Sequence, residues 1–222
     1  MNPIHILIFS LLWAFPSLFY AQEQNKKNSI QAYSGGMMLH TGYLSAGEVD
    51  MPDLQENIKI QGVPWGLGGL LRFNVGKHLR IGGEGYNSTL HYGKNKSYTT
   101  LSWGGILIDC QWEINKITLF FGATIGGGSV KNITVINAVS PHAAGENAVY
   151  RKYSVAVADP FIGMEYAVAQ RVRLITKVDY VFNIAKRQPD FATGVRVYAG
   201  VVFFHAREMS KNNPKRQTTT PL

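Results

Sequence analysis

The sequence contains a single cysteine, Cys110, which excludes an intramolecular disulfide and any thiolate metal cluster. Charge is scarce: Asp, Glu, Lys and Arg make up 16% of the 222 residues, against about 25% in ordinary globular domains. Beyond the N-terminal dozen residues no apolar run approaches the ~18 residues of a membrane-spanning helix. Strong helix formers are thin through the middle of the chain. What abounds is glycine, 23 residues, with 11 Tyr and 11 Phe. That excess suits closely packed, twisted strands with ring anchors better than a helical bundle. The length fits one all-β domain of about 200 residues.

Residues 4–15 form an apolar run, too short for the ~20 residues that span a bilayer. Pro16 and Ser17 break it, and Phe19-Tyr20-Ala21 precedes the polar Gln22-Glu23-Gln24-Asn25-Lys26-Lys27. The pattern predicts a secretory signal peptide over residues 1–21. It departs from the usual form in having no Lys or Arg before the apolar run and Phe19 at the third position before the cut. An exported chain that is integral to a membrane, with no apolar helix, must close its strands into a barrel, because only that also satisfies every backbone polar group in lipid.

Eight strands are expected, over residues 33–43, 64–75, 79–90, 98–114, 117–129, 153–168, 172–184 and 191–205. Most reach the ~9–11 residues that a tilted strand needs to cross a membrane. The turns at 76–78, 115–116 and 169–171 are short, whereas 44–63, 91–97, 130–152 and 185–190 are mostly longer. An outer-membrane barrel predicts this alternation, with tight periplasmic turns and longer external loops. A soluble sandwich has no reason to sort its loops by parity.

Neighbouring side chains on a strand point to opposite faces. Trp65, Leu67, Leu71, Phe73 and Val75 alternate with Gly66, Gly68, Arg72 and Asn74; Leu174, Val178, Tyr180 and Phe182 alternate with Arg173, Lys177, Asp179 and Asn183. The last strand sets Phe191, Val195, Val197, Val201 and Phe203 against Arg196 and Tyr198. Trp65, Trp112, Tyr166, Tyr180 and Phe203 fall toward strand ends on the apolar face, as an interfacial aromatic girdle requires. A soluble lipocalin-like barrel would reverse the faces, and periodicity alone does not separate the two. Loop parity and strand length favour the membrane barrel.

The polar face then lines the lumen, with Arg72, Arg80, Arg173, Lys177 and Arg196 against Glu84, Asp109, Glu113, Asp159, Glu165 and Asp179. Eight strands leave an interior just wide enough for side chains to fill. Buried charges there must be paired, so a near-neutral ladder is expected to plug the barrel. The net charge of +8 therefore resides in turns, loops and tail. Lys77, Lys116, Arg171, Arg207, Lys211, Lys215 and Arg216 fall mainly on the periplasmic side, as solvated turns and a basic tail over 206–222 or as a contact with an acidic envelope partner. Lys94, Lys96, Lys186 and Arg187 can meet lipopolysaccharide phosphates from outside. Nucleic acid is not an expected partner of an exported barrel.

Chemistry is sparse. Glu48, Asp50, Asp53 and Glu56 make the first loop acidic without the spacing of a calcium loop. His40 lies in the lumen phase, His91 stands beside Ser88 and Tyr92, and His142 sits in the third loop. None gives a Ser-His-acid or metal-ligand spacing, so neither a metal nor a cofactor is expected. Gly126-Gly127-Gly128-Ser129 is followed by no Gly-Lys-Ser/Thr and opens no helix.

The hairpin Gly66-Leu67-Gly68-Gly69-Leu70-Leu71-Arg72-Phe73-Asn74-Val75-Gly76-Lys77-His78-Leu79-Arg80-Ile81-Gly82-Gly83-Glu84 and the strand Gly194-Val195-Arg196-Val197-Tyr198-Ala199-Gly200-Val201-Val202-Phe203-Phe204 resemble the small outer-membrane barrels of the OmpA and OmpX type. The resemblance spans residues 32–205 and implies an up-and-down antiparallel barrel over 22–205. It also implies roles that range from envelope structure and adhesion to small pores and accessory subunits. The reading favoured by the residues is a monomeric, plugged barrel with a structural or surface-interaction role. The alternatives are a narrow channel or transport accessory, a lipid-A-modifying enzyme, and a soluble binding barrel.

Overall fold

The computed structural model describes residues 30–51, 56–93, 97–136, 147–185 and 188–206. The expected leader, the tail from Arg207 to Leu222, Asp53, Lys94, Lys96, His142, Lys186 and Arg187 lie outside these residues.

The described elements are all strands: β1 (Ile30–Met51), β2 (Glu56–Gly62), β3 (Pro64–Val75), β4 (Leu79–Tyr92), β5 (Ser97–Ile114), β6 (Ile117–Ile136), β7 (Asn147–Ala167), β8 (Val172–Asn183) and β9 (Thr193–Ala206). Each pairs antiparallel with its neighbour, and β1 also pairs with β9 from Ala32↔Ala206 to Ser45↔Thr193, which closes the sheet. β2 and β3 occupy successive stretches of β1, Leu44↔Gly62 and Thr41↔Trp65, so the closed circuit has eight strand positions. Gly62, at φ 152°, supplies the backbone conformation that separates β2 from β3. At the periplasmic end Gly76 (φ 73°) and Asn115 (φ 56°) make the tight turns, left-handed positions that Gly and Asn tolerate best.

The long external connections are shorter than the sequence suggests. β1 continues to Met51 and pairs with β2, so most of 44–63 is a hairpin. β6 and β7 pair as far as Ile136↔Asn147, which turns most of 130–152 into strand. These stretches keep satisfying their backbone groups through the ladder beyond the membrane. Phe191 also differs from expectation: it precedes β9 and is buried with the lumenal core rather than facing lipid.

The two faces follow from alternation. On β8 Ile175, Lys177, Asp179 and Val181 are buried, while Leu174, Val178, Tyr180 and Phe182 are exposed. Exposed large apolar side chains continue round the wall: Met37, Leu39, Leu67, Leu71, Ile106, Ile108, Leu119, Phe121, Ile125, Ile162, Val197 and Val201 among them. Along β6 the outward positions from Ile117 to Gly127 carry only apolar side chains or none. Ten residues at about 2.5 Å per residue along the membrane normal give about 25 Å, the height of a barrel's apolar band. Among the described residues no helix is long and apolar enough to cross a membrane; the strands do so instead.

Inside, large side chains face positions without one. A Cβ on Gly68 would lie 1.9 Å from the Tyr86 ring, and one on Gly163 would lie 2.4 Å from the Phe120 ring. Each glycine is the space its cross-strand partner fills.

Candidate functional site: the lumenal ion-pair ladder

The alternation that puts leucine and valine in lipid sends the intervening charged residues into the lumen, where they gather in two layers. In the layer nearer the periplasm, Arg80 clamps its register partner Asp109 with Nε to Oδ1 at 2.5 Å and Nη2 to Oδ2 at 3.1 Å. Its Nη1 donates to Glu165 Oε1 at 2.8 Å. Arg72 donates to both carboxylates, to Asp109 Oδ2 at 3.3 Å and to Glu165 Oε1. Arg173 reaches Glu165 Oε2 at 3.4 Å, Thr118 Oγ1 at 3.1 Å and Glu113 Oε1 at 3.3 Å. The Phe120 ring lies 5.2 and 4.9 Å from the guanidinium carbons of Arg72 and Arg80, so its π-face adds to their stabilisation.

In the layer above, Arg196 binds its register partner Asp179 through two nitrogens, at 2.9 and 3.0 Å, and Asp159 Oδ1 at 3.1 Å. Lys177 Nζ lies 3.1 and 3.0 Å from the two oxygens of Glu84, 3.5 Å from Asp179 and 3.7 Å from Asp159. Glu84 also accepts from Thr124 Oγ1 at 2.6 Å and from the Tyr86 hydroxyl at 3.0 Å. The rings of Tyr86, Phe161 and Tyr198 surround the ammonium at 4.5–4.9 Å.

Arg72, Asp109, Asp159 and Arg196 have side chains with 0% exposure. Five cations (Arg72, Arg80, Arg173, Lys177, Arg196) meet five carboxylates (Glu84, Asp109, Asp159, Glu165, Asp179) in the ladder, which is formally neutral; a further buried carboxylate, Asp190, pairs with Arg151 at 3.3 Å. Glu113 stands apart from the inward set: its carboxylate is 55% exposed at the periplasmic mouth, because it lies one residue from the strand end, and it holds Arg173 from outside.

Above the ladder the lumen turns apolar, with Leu101, Val130, Val155 and Phe191 packed together. Leu44, Ile60, Leu90, Tyr92 and Ala192 form a second cluster nearer the outer rim. Between these groups lies a cavity of about 10 Å³ lined by Leu44, Ser88, Leu90 and Phe191 among others, no more than one water needs. Of the histidines, His40 is buried against Tyr198, ring centroids 4.8 Å apart. His91 faces outward while Ser88 and Tyr92 face inward, so these three do not meet.

Trp65, Trp112, Tyr166, Tyr180 and Phe203 are all exposed on the outer wall. Trp112, Tyr166 and Phe203 stand near the periplasmic ends of their strands, and Trp65 and Tyr180 near the outer ends. Trp112 stacks on Phe121 at 5.2 Å.

Aromatic residues Trp103, Phe120 and Phe161, which complete the lumenal packing, escape a reading guided by polarity. Their parity gives them away, since Phe120 shares its face with Thr118 and Thr124.

The closed antiparallel sheet, the apolar outer wall and the filled charged lumen define an eight-stranded transmembrane β-barrel. No protein-family model and no curated protein matches the chain. Among solved structures it is similar to Ail, the attachment invasion locus protein of Yersinia pestis, at 10% identity and TM-score 0.49, covering 79% of this chain and 99% of that one. It is similar to Neisserial surface protein A at 11% identity and TM-score 0.49, covering 79% and 96%. The N-terminal barrel domain of Pseudomonas aeruginosa OprF aligns at 11% identity and TM-score 0.40, covering 77% and 97%.

Proposed function

We propose that the protein is an exported, monomeric outer-membrane barrel whose lumen is a plug, and that its role is structural or one of surface interaction, carried by the outer hairpins. The observation that carries this reading is the ladder itself. Its central charges have no accessible surface, and each is paired within the lumen. A water-filled channel would instead leave such groups solvated. The hairpins β1–β2 and β6–β7 project beyond the apolar band, and β6–β7 pairs nine residues past Gly127. They present an outer surface to lipopolysaccharide or to an envelope partner. The exposed turn cations Lys77, Lys116 and Arg171 face the periplasm in this reading. The five outward aromatics act as the girdle that fixes the barrel's depth. The reading assigns no catalysis and no cofactor.

Conductance in planar bilayers tests it. The wild-type barrel is expected to give no steady openings, and Arg72→Ala to introduce transient ones. Steady wild-type openings abolished by substituting Arg72 or Glu113 would overturn the plug in favour of a narrow channel.

A further inference from the structure

The outer wall is not uniform above the apolar band. On β3, β8 and β9 the outward positions near the outer end are apolar at Trp65, Tyr180, Phe182 and Val195, with Thr193 at the tip of β9 the polar exception. On β4–β7 they change character, and the strand registers align them in rows. Asn87, Ser102, Ser129 and Ser154 are successive register partners across the four strands. So are Thr89, Thr100, Lys131 and Lys152 one alternation further out. Asn87 Nδ2 donates to Ser102 Oγ at 2.8 Å, and the Thr89 and Thr100 hydroxyls are 3.2 Å apart.

Two features of this face lack a full internal explanation. Lys131 and Lys152 stand directly opposite each other, both exposed, and neither has an ion pair among the described residues. Like charges so placed destabilise a sheet. Immediately below the hydroxyl row runs Gly85, Gly104, Gly127 and Ala156, a strip of wall without side chains beyond Cβ. Backbone crowding accounts for it only in part: a Cβ on Gly104 would lie 3.1 Å from the Glu84 carbonyl oxygen and one on Gly127 3.3 Å from that of Val155, close but not prohibitive. A Cβ on Gly85 would meet nothing nearer than 3.4 Å, whereas the inward-facing Gly126 and Gly128 would collide at 2.1 Å.

We infer that this face binds a phosphorylated glycolipid of the outer leaflet, the lipid A moiety of lipopolysaccharide. Its phosphate sits between Lys131 and Lys152, its sugar hydroxyls lie on the Ser/Thr/Asn rows, and an acyl chain lies along the strip of glycines. Charge and depth both favour this occupant. The lysines lie four residues beyond Gly127 on β6, about 10 Å above the apolar band, at the headgroup level. The two cations meet an anion whose oxygens accept several charge-assisted hydrogen bonds. The inference rests on the outer-membrane reading and narrows its lipid partner to one face and one chemistry.

The test uses the full mature chain in nanodiscs of phosphatidylcholine, alone or with diphosphoryl lipid A, dephosphorylated lipid A or phosphatidylglycerol. The readout is the temperature at which the barrel loses its folded mobility in SDS gels. Diphosphoryl lipid A is expected to raise that temperature for wild type, with little gain from the other two. Lys131→Gln/Lys152→Gln should unfold normally in phosphatidylcholine and need about tenfold more lipid A for the same gain. Gly85→Leu, which keeps both lysines and fills the strip, should lose part of the gain. An equal gain from phosphatidylglycerol, or an undiminished gain in the double lysine variant, overturns the inference. A folded, heat-shifted wild type in plain phosphatidylcholine leaves the barrel reading standing in that event; its absence there sinks the barrel reading itself.

Discussion

Lys177→Met measures whether the lumen is dry. Lys177 is the cation shared by Glu84, Asp159 and Asp179, with contacts from 3.0 to 3.7 Å, and its side chain is 1% exposed. Methionine preserves the length and the packing against Tyr86, Phe161 and Tyr198 but removes the charge. Asp159 and Asp179 then share Arg196 alone, and Glu84 keeps only its hydrogen bonds from Thr124 and Tyr86. Breaking a buried pair by deleting one partner costs about 3–5 kcal/mol, whereas an exposed pair is worth about 0–1 kcal/mol. Guanidinium unfolding in lipid vesicles should therefore show a loss of about 3–5 kcal/mol for Lys177→Met. Much of that loss should return in Lys177→Met/Glu84→Gln, because the neutral amide leaves no buried charge uncompensated. A single-variant loss below about 1 kcal/mol, with no coupling to Glu84 in the double variant, would mean that water screens the ladder. The plug would then be refuted.

Three further outcomes follow from the same geometry. In single-tryptophan variants, lipid-borne quenchers should reach Trp65, which is 66% exposed on the outer wall, and leave the lumenal Trp103, 5% exposed, nearly unaffected; equal quenching would contradict the assignment of faces. Gly163→Val drives a branched side chain at the Phe120 ring, 2.4 Å from the ideal Cβ, and should cost about 1–3 kcal/mol or prevent folding; unchanged stability would show that the lumen repacks freely. Cys110 shares the outward face with Ile108 and Trp112, so apolar maleimides should label it in membranes while a charged methanethiosulfonate does not, and fast labelling by the charged reagent would count against a lipid-facing wall.

The parts of the fold that the sequence discloses are those where lipid and lumen impose opposite chemistry on alternate residues. The span of β3, residues 64–75, and both ends of the hairpin across Asn115-Lys116 are legible for that reason. Beyond the membrane the contrast fades. On β6 Lys131 faces water while Asn132 and Thr134 face inward to the Tyr92 hydroxyl, at 2.5 and 2.8 Å, so both faces are polar and the strand reads as a loop. In β1 the register shift between Ser45 and Gly47 breaks the two-residue period before the β2 hairpin begins. The charged residues of the lumen can be named from parity alone. Their pairing cannot, because Arg72 with Glu165 and Lys177 with Glu84 join strands that only the closure and tilt of the barrel bring face to face. The rows that run through Lys131 and Lys152 depend on four registers at once and are likewise invisible in a linear reading.

The most direct test of a closed, membrane-spanning barrel is electrophoresis of the outer-membrane fraction in SDS, with and without boiling. The account predicts that the protein partitions with that fraction and migrates differently once heated, as a closed sheet does when it finally opens. Recovery of the chain as a soluble periplasmic protein with no mobility shift would contradict it, and would make the apolar wall the surface that needs another explanation.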